Sequence, residues 1–216
     1  MNRKLTIPPP TLESLSEGES IALLIRHSAR YSIPAGEAGM DVRLTPEGHL
    51  LAEELGAFIG NRLGVLHTSP VGRCVETSQA IARGAKKNTE IVQDRLLGDP
   101  GVYVADGKLA GSTIGRLGHE SVVDALIACK QLDGWANPLV ATRTLVEHIM
   151  IPTRRKPGVH VFVTHDTLVT TAAAHCLEAP LTKAEWPLFL EALILVPSDN
   201  GVRAKYRHWS GRIPWL

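Results

Sequence analysis

A short segment that is apolar at every position constrains the fold of this chain more than any other feature. It is Ile21-Ala22-Leu23-Leu24-Ile25, which runs directly into Arg26-His27. Because successive strand residues point to opposite faces of a sheet, a run without polar positions predicts a strand buried on both faces, as in a parallel sheet. Further short strands are predicted at 65–68, 90–93 and 159–164. A final hairpin is predicted at 193–196 and 202–206 around Asp199-Asn200-Gly201.

Helical patterns separate these strands. Thr45 and Pro46 are typical of a helix N-terminus, the apolar positions that follow recur at helical spacing, and Gly64 is the predicted end. Further helices are predicted over about 70–83 and 166–177, with two more within 119–150, whereas 94–118 is rich in glycine and gives no clear pattern. The alternation predicts an α/β fold with a mostly parallel central sheet flanked by helices. We expect one domain over 21–216 after an N-terminal lead-in at 1–20.

Composition excludes several classes of protein. Lysine and arginine total 23 against 22 acidic residues, so the basic excess of a nucleic-acid binder is missing. The three cysteines are odd in number and widely spaced, which is typical of reduced thiols in a cytoplasmic protein rather than of a disulfide framework. No secretory signal and no apolar run of membrane-spanning length is present. We therefore expect a cytoplasmic location and no membrane partner.

Polar, reactive side chains follow three of the predicted strands. The clusters are Arg26-His27-Ser28-Ala29-Arg30, Thr68-Ser69-Pro70-Val71-Gly72-Arg73 and Thr164-His165-Asp166. In parallel sheets, ligands bind beyond the carboxyl ends of the strands, so neighbouring strands would bring all three clusters to one pocket. That pocket would hold three arginines and two histidines. Arginine presents a planar fork of donors that matches phosphate oxygens, so the set predicts a site for a phosphate group.

These residues resemble the histidine phosphatase superfamily, also called phosphoglycerate-mutase-like. Arg26-His27-Ser28-Ala29-Arg30 is similar to the family signature. The resemblance extends to Leu44-Thr45-Pro46-Glu47-Gly48, to Ser69-Pro70 with Arg73, Glu76 and Thr77 after it, and to His165. It implies a three-layer phosphoglycerate-mutase-like sandwich.

The resemblance also implies a two-step mechanism. His27 would attack phosphorus and form a phosphohistidine, which water would then hydrolyse. Arg26, Arg30, Arg73 and His165 would hold the phosphoryl oxygens, and Ser69 would contact the site as well as cap a helix. Attack requires a neutral imidazole whose second nitrogen is fixed by a hydrogen bond. The chemistry requires no metal and no organic cofactor, and the histidine spacings match no metal-binding motif.

The leaving group needs a general acid, and the sequence offers three candidates. Asp166 ranks first because one branch of the family uses the aspartate of such a His-Asp pair, although Asp166 also suits a helix cap. Asp99 ranks second because the other branch places its acid in the middle of the chain. Glu76 ranks third and suits a structural partner for an arginine.

The predicted function is hydrolysis of small phosphate esters by a phosphatase. Two alternatives remain open at this point. One is a phosphomutase of the phosphoglycerate type, and the other is a weakly active phosphate-binding or interaction module. The sequence predicts neither the physiological substrate nor the oligomeric state.

Overall fold

The computed structural model describes residues 19–34 and 39–214. Most of the predicted lead-in, residues 1–18, lies outside the described residues. Thirteen main elements follow each other along the chain: β1 (Ser20–Arg26), α1 (Pro46–Ile59), β2 (Leu63–Thr68), α2 (Gly72–Gly84), β3 (Ile91–Gln93), α3 (Gly107–Leu117), α4 (His119–Ile127), α5 (Pro138–Arg155), β4 (Gly158–Thr164), α6 (Asp166–Leu177), β5 (Ala192–Ser198), β6 (Gly201–Tyr206) and β7 (Trp209–Arg212).

One seven-stranded sheet organises these elements, in the order β3-β2-β4-β1-β5-β6-β7. The four strands from β3 to β1 are parallel, and β5, β6 and β7 continue the sheet in antiparallel pairs. Since β6 points in the same direction as β1, five of the seven strands share one direction. The predicted α/β class and mostly parallel sheet are confirmed.

Helices cover both faces of the sheet, which gives three layers. Ile21, Leu23 and Ile25 of β1 pack with α1 and α2 on one face, while Ala22 and Leu24 pack with α5 and α6 on the other. All five side chains are at most 1% exposed. This burial on both faces is the physical reason that β1 carries no polar residue between Ser20 and Arg26.

The end of α1 and the last strand differ from the sequence-based expectation. The helix ends at Gly60, where φ is +55°, rather than at Gly64, which lies inside β2. Gly60 stops the helix because glycine adopts positive φ without a steric penalty. The antiparallel edge strand β7 was not predicted, because its sequence Trp-Ser-Gly-Arg lacks an apolar pattern.

Residues 94–137, whose secondary structure was predicted only in part, form a helical layer beside α6. A 3-10 turn at Arg95–Leu97 leads into α3 and α4. Tyr103, Val122, Leu126 and Trp135 form a small apolar core there, to which Leu168 of α6 contributes. The layer therefore sits at the end of α6 that follows β4. None of the helices within the described ranges has the length and apolar character needed to cross a bilayer.

Candidate active site

The three polar clusters meet at one edge of the sheet. β2, β4 and β1 are consecutive parallel neighbours, so their carboxyl ends lie side by side. The His27 N–H donates to the Thr164 carbonyl at 2.9 Å, and the Ser69 N–H donates to the Val163 carbonyl at 2.9 Å. The topology thus brings His27 close to His165, although the two residues lie more than 130 positions apart in the sequence.

His27 is buried and held in one orientation. Its ring is 2% exposed, and Nδ1 lies 2.8 Å from the carbonyl oxygen of Ser28, a contact that requires a proton on Nδ1. Ser28 is fixed in turn, because its hydroxyl donates to the Gly48 carbonyl at 2.7 Å and its N–H donates to Thr77 Oγ1 at 3.0 Å. This arrangement leaves Nε2 of His27 as the nitrogen with a free lone pair.

The glycine of the Leu-Thr-Pro-Glu-Gly segment is required by this anchoring. A Cβ on Gly48 would lie 2.0 Å from the carbonyl oxygen of Ala29. Thr45 caps α1, since its Oγ1 accepts from the Gly48 N–H at 3.0 Å. The segment therefore fixes the backbone that carries His27.

Three arginines surround the pocket with incomplete hydrogen bonding. Arg26 donates to the Pro187 carbonyl at 2.7 Å, Arg73 to the Gly39 carbonyl at 2.7 Å and Arg30 to the Tyr31 carbonyl at 2.8 Å. The Nε atoms of all three are buried and lack a hydrogen-bond partner among the described residues. Burial, and then Arg73 and Arg26, lower the pKa of Arg30 from its ordinary value. Cations that repel each other and keep buried donors free form a site for an anion.

His165 lies opposite His27, with ring centroids 5.7 Å apart. Arg73 Nη2 donates to His165 Nδ1 at 3.2 Å, so the proton of the neutral ring is on Nε2, which donates to Ser69 Oγ at 3.0 Å. Ser69 is fully buried, and its Oγ also accepts from the Val71 N–H at 3.3 Å. Ser69 thus holds His165 in place. The expectation that Ser69 caps the next helix is wrong, because the N-cap is Val71 and no side chain caps the first turn.

Both histidines are neutral at physiological pH. Burial, followed by His165, Arg73 and Arg26, lowers the pKa of His27 well below its ordinary value despite the Ser28 hydrogen bond. Burial and then Arg73 lower the pKa of His165 to about 3. A neutral imidazole is the form that attacks phosphorus. Cys74 lies beside the pair, but burial raises the pKa of its thiol to about 12, so it remains protonated.

Asp166 is the first residue of α6 and forms an ion pair with Arg26 at 3.0 Å. Burial opposes its ionisation, but Arg26 foremost, then His119, His27 and the Thr167 N–H, lower the pKa of Asp166 below its usual range. The carboxylate is therefore charged and paired in the free protein.

The other two acid candidates differ sharply in their surroundings. Both carboxylate oxygens of Glu76 accept hydrogen bonds: Arg43 donates to Oε1 at 3.0 Å, and the Leu44 N–H donates to Oε2 at 2.9 Å. Asp99 is exposed and has no ion pair or hydrogen bond with the described residues. It follows Gly98, which lies so close to the pocket that a Cβ would come within 2.4 Å of Ser69 Oγ and 2.7 Å of His165 Nε2. Asp99 is thus next to the pocket along the chain.

Sequence reasoning missed three contributors to this site. Pro187 accepts a hydrogen bond from Arg26, and the Phe189 ring lies 4.5 Å below the Arg26 guanidinium and 5.8 Å from the His27 ring. His119, at the start of α4, meets Thr167 at 2.9 Å and contributes to the charge state of Asp166. Pro187 and Phe189 lie in the loop before β5, which carries no sequence motif, so no signal in the sequence links them to Arg26 and His27.

Comparisons with known proteins relate this chain to a family and to a fold. The family model described as histidine phosphatase superfamily (branch 1) matches residues 22–108. A search of curated proteins finds no significant match.

Solved structures with the same fold include a phosphoserine phosphatase from Entamoeba histolytica, which has a TM-score of 0.61 and 18% identity over 86% of this chain and 94% of that one. A phosphoglycerate mutase from Bacillus anthracis has a TM-score of 0.59 and 16% identity over 88% and 95% of the two chains. A mycobacterial glucosyl-3-phosphoglycerate phosphatase has a TM-score of 0.56 and 17% identity over 87% and 98%. The resemblance predicted from the sequence is thereby confirmed: residues 22–108 match the histidine phosphatase superfamily, and the fold is phosphoglycerate-mutase-like.

Proposed function

We propose that this protein is a phosphatase that hydrolyses phosphomonoesters through a phosphohistidine on His27. One observation carries the proposal: a neutral, buried imidazole with Nδ1 fixed and Nε2 free lies among three arginines whose Nε–H groups have no partner among the described residues. A nucleophile and the donors for three equatorial phosphoryl oxygens are what in-line phosphoryl transfer requires.

The first step forms a bond between His27 Nε2 and phosphorus and breaks the bond from phosphorus to the ester oxygen. Arg26, Arg30, Arg73 and His165 hold the phosphoryl oxygens, and a general acid gives its proton to the departing alkoxide. In the second step, water gives a proton to the conjugate base of that acid and attacks phosphorus. The N–P bond breaks, and inorganic phosphate and free His27 are released.

Asp99 is our first choice for the acid, and Asp166 is the second. Asp166 is committed to Arg26, which favours its charged form. Asp99 has no such partner among the described residues, and a phosphate dianion in the pocket favours protonation of a nearby unpaired carboxylate. The family model that matches is branch 1. In the family resemblance, one branch takes its acid from a His-Asp pair and the other from the middle of the chain, and we assign this protein to the second pattern. Asp166 then acts as a positioning residue for Arg26.

A phosphomutase of the phosphoglycerate type is the alternative. It would use the same pocket but pass the phosphoryl group from His27 to a second substrate, and it would have to exclude water. Hydrolysis is favoured because the Arg30 side chain is only partly buried and Asp99 is exposed, so solvent reaches the mouth of the pocket. A weakly active phosphate-binding module is disfavoured because no pocket residue required by the mechanism is missing.

The test is release of nitrophenol from p-nitrophenyl phosphate in the presence of EDTA, with His27→Ala beside the unmodified protein. We expect His27→Ala to lose more than ~10³-fold in turnover, because the covalent route disappears with the nucleophile. His49→Ala, on the partly exposed part of α1, is the matched histidine control and should keep full activity.

Acid-labile phosphoenzyme, trapped by rapid quenching, should appear in the unmodified protein only. Undiminished turnover by His27→Ala would refute the mechanism. Phosphate binding without any phosphoenzyme would indicate the binding module. Phosphoryl transfer to a second phosphoglycerate in preference to water would indicate the mutase.

A further inference from the structure

Two histidines and an aspartate that the mechanism does not use meet near the edge of the sheet formed by β3. His67 belongs to β2, Asp94 follows β3 directly, and His148 belongs to α5. The His67 Nδ1 atom lies 3.3 Å from Asp94 Oδ2, and the His148 Nε2 atom lies 2.5 Å from the same oxygen. One nitrogen from each ring and one carboxylate oxygen all lie within 4.8 Å of one another.

This donor set has the chemistry and spacing of a metal site. Zinc-class ions bind imidazole nitrogen and carboxylate oxygen at about 2.0–2.2 Å, which separates tetrahedral ligands by roughly 3.4 Å. The His67–Asp94 pair already has that spacing. The His148–Asp94 pair needs to open by roughly 1 Å, within the reach of a side chain that is 33% exposed. Imidazole ligands favour zinc-class transition metals over magnesium or calcium.

The three side chains are partly buried and held by neighbours. Asp94 and His67 are 10% and 16% exposed. Asp94 Oδ1 accepts from the Leu96 N–H at 3.0 Å, which orients the carboxylate, and the His67 ring lies 5.2 Å from the Phe162 ring. A carboxylate that is oriented by a backbone N–H and lies beside two imidazoles is a supported ligand set.

We propose that His67, Asp94 and His148 bind one divalent transition-metal ion of the zinc class, with water completing its coordination. The site is separate from the arginine pocket, since the side-chain hydrogen bonds of the cluster connect only its own members and the Leu96 N–H among the described residues. It joins α5 to β2 and to the start of the 94–99 segment, so its role is structural. The proposal is independent of the phosphatase activity.

The experiment titrates the metal-free, tag-free protein with Co²⁺ and Zn²⁺. Saturable visible absorption of one Co²⁺ per chain, displaced by Zn²⁺, is the expected result. Zn²⁺ at 100 times its Kd should raise the Tm by roughly 5–10 °C. His148→Ala and Asp94→Asn should weaken binding by more than ~10-fold, because each removes or neutralises a ligand.

Two further variants locate the site. His27→Ala reports on adventitious binding in the arginine pocket, and His49→Ala is the control for a partly exposed helical histidine. Both should bind Co²⁺ as the unmodified protein does. The proposal is overturned if the unmodified protein shows no saturable binding, which would make the cluster a purely hydrogen-bonded one. It is equally overturned if His148→Ala binds normally, or if His27→Ala abolishes binding. Circular dichroism of each variant separates ligand loss from unfolding.

Discussion

Replacing Gly98 with alanine tests how closely the 94–99 segment approaches the pocket. The new Cβ would lie 2.4 Å from Ser69 Oγ and 2.7 Å from His165 Nε2, far inside ordinary contact, and φ at Gly98 is +151°. The backbone strain of such a residue costs about 1–3 kcal/mol. Relief of the clash would also break the Ser69–His165 hydrogen bond, which contributes about 1 kcal/mol.

We therefore expect Gly98→Ala to lower the free energy of unfolding by about 2–4 kcal/mol and the Tm by roughly 5–15 °C. Displacement of His165 by about 1 Å should lower kcat on p-nitrophenyl phosphate by about 100-fold. Thermal unfolding and steady-state kinetics measure the two effects separately.

Gly111 provides the matched control. It lies on the exposed side of α3, and a Cβ there would meet nothing within 4 Å. Gly111→Ala should raise stability by about 0.5–1 kcal/mol through helix propensity and leave kcat unchanged. If Gly98→Ala keeps the Tm and kcat of the unmodified protein, Gly98 does not approach Ser69 and His165 this closely. If only the Tm falls, the position of His165 does not limit turnover.

The remaining predictions concern the acid, pH and ligand binding. Asp99→Asn should slow alkyl phosphates by about 10²–10⁴-fold and p-nitrophenyl phosphate much less, because only a poor leaving group needs the proton; a selective loss in Asp166→Asn instead would identify Asp166 as the acid. The pKa of His165 is about 3 in the folded protein and roughly 6.5 in the unfolded chain. Below pH 6.5 the unfolded chain therefore binds a proton that the folded protein does not, so the stability contributed by this group is complete above pH 6.5 and is lost as the pH falls toward 3. Denaturant unfolding should thus lose about 2 kcal/mol through this group between pH 6.5 and 5, and His165→Gln should flatten that slope; equal slopes would contradict the assignment. Vanadate or phosphate should bind among Arg26, Arg30 and Arg73, raising the Tm by roughly 5–10 °C at 100 times Kd, and Arg73→Ala should remove most of that shift; an unchanged shift, or a crystal grown in phosphate with the pocket empty, would count against the site.

Local signals were sufficient to predict the elements that position the nucleophile. The apolar run before Arg26 required a strand covered on both faces, and the structure places helices on both sides of β1. Thr45-Pro46 correctly predicted the start of α1, with Thr45 as the N-cap and Pro46 as the first helical residue, because capping is a property of adjacent residues. The edge strand β7 escaped prediction because an edge strand of four residues needs no apolar face of its own.

Partnerships between distant residues decided the details that sequence could not supply. His-Asp order in the chain suggested Asp166 as an acid, but only the fold places Arg26 3.0 Å from its carboxylate. His67, Asp94 and His148 are separated by 27 and 54 positions, so no spacing motif exists to reveal them.

The sequence by itself determined the fold class and the identity of the polar clusters, because burial and capping act on neighbouring residues. It predicted that the clusters would meet only if their strands were neighbours, and the tertiary structure decided this by placing β2, β4 and β1 side by side. The tertiary structure decided which side chains are neutral, which are paired and which remain free. Those properties depend on desolvation and on charges from other segments, which no local pattern encodes.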